Sequence, residues 1–104
     1  MLTSPQGKLG GDPSAPTFKT NFAALMQSQQ FQSAERLRQR DLLGNLIFNY
    51  VSRLVHINFV RKVTGMILDL FENNPADFAL TISDYELFKV KVREAVNLVS
   101  AHTQ

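Results

Sequence analysis

A chain of 104 residues has room for one small domain and its tails, because single cores are typically built from roughly 100 to 150 residues. The absence of cysteine excludes disulfides, thiolate metal sites and cysteine nucleophiles together, and leaves the fold to packing alone. The net charge of +2 is small, and Arg36, Arg38, Arg40, Arg61, Lys62, Lys89, Lys91 and Arg93 are interspersed with acids, which weighs against nucleic acid as the main partner.

The first residues lack the apolar run of a secretory signal, and no stretch approaches the ~20 apolar residues of a bilayer span, so a soluble, cytoplasmic protein is expected. Residues 1 to 16 are rich in Pro, Gly and Ser and hold too few large apolar side chains to offset the entropy of ordering. In residues 17 to 32, Phe22, Ala23, Leu25 and Met26 outline a short helical face, but a Gln/Ser-rich end weakens it. This stretch stays open between helix and coil, and residues 1–32 are expected as a flexible tail, part-helical from about 20.

From Ser33 the pattern becomes regular. Ser33 reads as a cap, and Leu43, Leu46, Ile47, Tyr50, Val51 and Leu54 recur at the spacing of one helix face, predicting a helix to about Val55. Asn58 reads as the cap of a second helix carrying Phe59, Val60, Val63, Met66, Ile67, Leu70 and Phe71 to about Asn73. Asn74-Pro75-Ala76-Asp77 gives a cap, a proline at the first helical position and an acid in the first turn, starting a short helix to about Thr81. Ser83 and Glu86 have capping-box spacing ahead of Phe88, Val92, Ala95, Val96 and Val99. The reading is all-α: four helices over residues 33–104, no strand, in a right-angled or superhelical arrangement.

Two features exceed what a core needs. The last helix has a second stripe, Lys91, Ala95, Leu98 and His102, which is either a core edge with a snorkelling lysine or the wall of a part-exposed groove. In the second helix Met66, Ile67 and Leu68 are consecutive and cannot all face one core. Gly44 and Gly65 both interrupt helix interiors, where glycine costs about 1 kcal/mol relative to alanine. Either the two helices cross closely there, or they leave a slot wide enough for a flat ring.

Leu43-Gly44 with Ile47-Phe48, the run Lys62-Val63-Thr64-Gly65-Met66-Ile67-Leu68-Asp69, and Lys91-Val92 with Glu94-Ala95-Val96 and Ala101-His102 together resemble the MLLE domain. This is the C-terminal module of cytoplasmic poly(A)-binding proteins, with its LGxxLF segment, its KITGMLLE signature and its closing KVxEAVxxLxAH helix. The resemblance covers about residues 41–104. It implies a small right-handed superhelix of four to five short helices that binds proteins carrying short linear PAM-type motifs, through one leucine and one phenylalanine anchor, in mRNA-related assemblies.

Carried over position by position, the resemblance implies an aromatic pocket of Gly44, Phe48, Lys62, Thr64, Gly65 and Leu68. It implies a leucine pocket of Met66, Ile67, Lys91, Ala95, Leu98 and His102. This sequence departs from the family pattern at Asn45, Ile67 and Asp69 and carries extra residues around 71–73 and 55–61. No cofactor or metal is implied, and RNA would be engaged only indirectly.

In the tail, Leu9 and Ala15-Pro16-Thr17-Phe18 resemble a stretched form of the motif, so weak self-engagement is one expectation. Three other readings stand beside the peptide receptor. Catalysis has little to work with in His56 and His102 alone, since no carboxylate or cysteine stands with either at ligand or triad spacing. His56 reads as a polar residue in a connection and His102 as a helix-end residue suited to the C-terminal dipole. Direct single-stranded RNA binding would use a basic surface of Arg36, Arg38 and Arg40, with Phe59 beside Arg61 and Lys62. A purely structural helical adaptor would pair through Leu25 and Met26.

Overall fold

The structure, a computed structural model, describes residues 15–102. They form α1 (Ala15–Gln27), the single turn α2 (Gln29–Gln32), α3 (Arg36–Val51), α4 (Ile57–Asn73), α5 (Pro75–Ser83) and α6 (Tyr85–His102). There is no strand among the described residues, and none of their helices is long and apolar enough to cross a membrane. The four helices read from the sequence are α3 to α6; α1 and α2 precede them.

Local chemistry sets the boundaries, and it moves three of the expected caps. Ser33 closes α2 instead of opening α3: its hydroxyl donates to the Gln29 carbonyl at 2.7 Å, because buried Phe31 pulls this turn into the core. α3 therefore starts at Arg36 behind Glu35, and it ends at Val51, with residues 52–55 wound into turns on the Phe48, Tyr50 and Val51 carbonyls. At α4 the cap is His56, whose Nδ1 accepts from the Asn58 N–H at 3.1 Å, so Asn58 donates where it was expected to accept. α5 begins as expected on Asn74, whose Oδ1 accepts from the Asp77 N–H at 3.3 Å. At α6 the Ser83 hydroxyl is spent on the Ala79 carbonyl, and Asp84 Oδ1 instead accepts from the Glu86 N–H at 3.0 Å.

The largest difference from the sequence reading lies at the N-terminal end. Where the sequence left residues 17–32 open between helix and coil, residues 15–27 and 29–32 are helical, and Phe18 and Phe22 are 0% and 1% exposed. One turn apart, these rings share a face of α1. Phe18 sits within 4.8–5.0 Å, centroid to centroid, of Phe22, Tyr50, Tyr85 and Phe88. Asn21 Nδ2 donates to the Tyr50 hydroxyl at 2.8 Å, so this polar atom carried into the centre is satisfied. Phe18 is thus a core ring in this structure and is not free to anchor in a groove; Leu9, its partner in the self-engagement expectation, lies outside the described residues.

α4 holds the domain together. It packs on α3, α5 and α6 and contributes Val60, Val63, Ile67 and Phe71 to the core. At the base of α3, the Arg36 guanidinium lies 4.1 Å over the Phe71 ring and donates to the Phe71 carbonyl. One turn on, Arg40 pairs with Asp69 and Glu72 and donates to the Leu68 carbonyl. Two of the three clustered arginines are therefore tied to α4 and do not form a common outward basic surface.

Candidate functional site

With a rotation of about 100° per residue, the residues of α4 divide into sides. Val60, Val63, Thr64, Ile67 and Phe71 are buried. Thr64 and Leu68 border α3, and Met66, Ile67 and Leu70 border α6. Lys62, Gly65 and Asp69 fall on the outer ridge between those borders.

Each border is a groove. The first, about 410 Å³, lies between α3 and α4 and is lined by Gly44, Phe48, Thr64 and Leu68, with Arg38, Arg40, Asp41 and Asn45 at its polar side. The second, about 180 Å³, lies between α4 and α6 and is lined by Met66, Ile67, Lys91, Ala95 and Leu98, with Leu70 and Glu94. Four of the six residues expected in the aromatic pocket meet in the first groove. Five of the six expected in the leucine pocket meet in the second; His102, the sixth, ends α6 and is described only in its backbone. Lys62 and Gly65 line neither groove, because they occupy the ridge.

The two glycines have different reasons. A Cβ on Gly44 would stand 3.0 Å from Leu68 Cδ1, so this glycine admits the side chain of the facing helix. A Cβ on Gly65 would meet nothing within 4 Å. Packing in the free domain does not ask for glycine there, and its helix-propensity cost is left without internal compensation. Next to it, Thr64 Oγ1 is buried in the lining of the first groove without a hydrogen-bond partner, in a side chain otherwise enclosed. Such a group costs roughly 1–3 kcal/mol relative to a satisfied one.

Each groove has one cation paired within the domain, Arg40 in the first and Lys91 in the second. Lys91 Nζ donates to Asp77 Oδ2 at 2.9 Å across α5 and α6. That hydrogen bond outweighs the opposing desolvation and, with lesser help from the Asp77 and Glu94 charges, raises the Lys91 pKa above its usual value. The ammonium form is favoured by folding, so its contribution is complete below about pH 10 and fades only as pH rises past the raised value. Among the described residues no group of three or more His, Asp or Glu side chains could hold a metal ion.

The sequence missed Leu70, Glu94 and the polar side of the first groove. Leu70 was legible as Met66 plus four and Glu94 as Leu98 minus four. Arg40 was not, since its partners lie 29 and 32 residues away.

A scan against family models matches the MLLE domain over residues 30–99, more than half of the chain. No curated protein and no solved structure gives a match. The match begins after α1, so the helix that carries Phe18 and Phe22 lies outside it. With an all-α fold, two grooves flanking the signature helix and a family match over most of its packed helices, the chain belongs to the MLLE family of peptide-binding interaction domains.

Proposed function

We propose that this domain binds short linear PAM-type motifs, seating a phenylalanine in the groove between α3 and α4 and a leucine in the groove between α4 and α6. The observation that carries this reading is Gly65. A helix-interior glycine with open space beside it, on the ridge between two grooves, lets a peptide backbone cross α4 at close range. The unpartnered Thr64 hydroxyl supports it, since a turn of this side chain toward the groove would give the oxygen a backbone partner on a crossing peptide. The groove volumes agree with the assignment, the larger taking the ring and the smaller the branched aliphatic chain.

A helix about 10 Å across separates the anchors by at least roughly three extended residues at about 3.3 Å each. Burying one Leu and one Phe yields roughly 1.5–3 kcal/mol each, while ordering the peptide costs about 2–5 kcal/mol. Binding in the micromolar range, near −8 kcal/mol, therefore depends on backbone hydrogen bonds and on partners that carry several motifs. The setting we propose is a cytoplasmic assembly concerned with mRNA translation, stability or transport, where RNA is reached through the partner protein.

The test is titration of isotope-labelled protein with a peptide carrying both anchors, comparing the wild type with Gly65→Val and Met66→Ala. Gly65→Val should block passage over α4 and Met66→Ala should weaken only the leucine groove. A folded Gly65→Val protein that binds like the wild type overturns the reading.

A further inference from the structure

A third groove lies away from the two already described. It occupies about 360 Å³ between the α3–α4 turn, the start of α4 and α6, and is lined by Leu54, Val55, His56, Phe59, Lys89, Val92, Arg93 and Val96. On α6, Lys89, Arg93 and Val96 share one side, whereas Lys91, Ala95 and Leu98 of the leucine groove share another.

Its electrostatics set it apart. The α3–α4 groove includes Asp41 in its lining and has Arg40 neutralised by Asp69 and Glu72. The α4–α6 groove includes Glu94 and has Lys91 neutralised by Asp77. The third groove has an apolar floor, two cations and no acidic lining residue. Arg93 pairs with no carboxylate among the described residues. Lys89 lies 5.1 Å over the Tyr85 ring and pairs with Glu86, whose side chain is 79% exposed, a surface pair of little worth that a ligand carboxylate replaces at small cost. His56 adds a donor: with Nδ1 accepting the α4 cap bond, the neutral ring carries its proton on Nε2. Ile57, 71% exposed, extends the apolar surface beside the turn.

We propose that this groove is a second docking surface, independent of the PAM-type site, for an acidic peptide segment whose apolar side chain seats on Phe59, Val92 and Val96 between Lys89 and Arg93. The charge pattern selects the occupant. A basic or neutral apolar segment would leave Arg93 unanswered at the rim, while an acidic one exchanges water for charge-assisted hydrogen bonds.

The experiment titrates the isotope-labelled full chain with a capped peptide, Glu-Glu-Leu-Glu-Glu-Ile-Leu-Glu-Glu, and with its lysine-for-glutamate counterpart. The acidic peptide should move the backbone amides of residues 54–59, Lys89 and Arg93, none of which lines the other two grooves, and its affinity should fall roughly threefold between about 50 and 300 mM NaCl. Arg93→Glu, at an exposed position without a partner, should keep the fold and weaken binding roughly tenfold. Equal binding of the basic peptide, unchanged affinity in Arg93→Glu, or shifts confined to the other two grooves overturns the proposal. So does movement of the same amides without peptide, either on removing residues 1–14, which would give the groove to the chain's own N-terminal segment, or on dilution, which would give it to a second copy. Because the PAM-type site is read at different amides, either site can fail without the other.

Discussion

The aromatic centre under α1 and the ridge of α4 are built on opposite terms. Around Phe18, four other rings fill the space and the Tyr50 hydroxyl is answered by Asn21. Along α4, a glycine has nothing beside it and a buried threonine hydroxyl has no partner. The first region spends its residues on folding. The second keeps polar and steric capacity that the free domain does not use, which is where a binding protein differs from a merely stable one.

That contrast can be broken from either side. The largest effect is expected from Phe18→Ala, which empties a fully enclosed site and should destabilise the protein by about 3–5 kcal/mol in a denaturant titration. A loss below about 1 kcal/mol would mean that α1 is not part of the cooperative unit. Thr64→Val should act in the other direction, stabilising the free protein by about 1–2 kcal/mol as the orphaned hydroxyl disappears, while weakening the PAM-type peptide. Stabilisation with unchanged affinity would separate Thr64 from binding.

Gly65→Ala sharpens the comparison further. With open space around the new methyl group it should raise stability by about 0.5–1 kcal/mol, at the expense of peptide affinity. Destabilisation would show that the ridge is more crowded than its geometry indicates. The smallest effect is expected from Asp77→Asn, which loosens the partly exposed Lys91 pair and weakens the first-turn acid of α5. Thermal melts should register about 0.5 kcal/mol or less, and the freed Lys91 should bind an acidic motif more tightly at low salt.

The position of α1 bears on how such a domain is delimited. The family match starts at residue 30, yet Phe18 and Phe22 sit among Tyr50, Tyr85 and Phe88, all inside the matched span. A protein cut at residue 30 would expose those rings, and its solubility and stability would not represent the chain described here.

Four helices and their order were legible in the amino-acid sequence because apolar spacing is a local signal that survives without knowing the fold. Asn74 with Pro75 fixed its helix start for the same reason. The lining of the grooves was legible only through the family resemblance of the run from Lys62 to Asp69 and its companion segments. What the tertiary structure alone decided was whatever depends on residues distant in sequence. Phe18 and Phe22 became core only because Tyr50 and Phe88 wait for them, and Ser33 and Ser83 lost their capping roles to carbonyls within their own preceding helices. The two interior glycines looked alike in sequence; Leu68 from the facing helix fills the space at one, and nothing reaches the other. Helix periodicity assigns a side chain to a face, but only the packed neighbours determine whether that face is occupied.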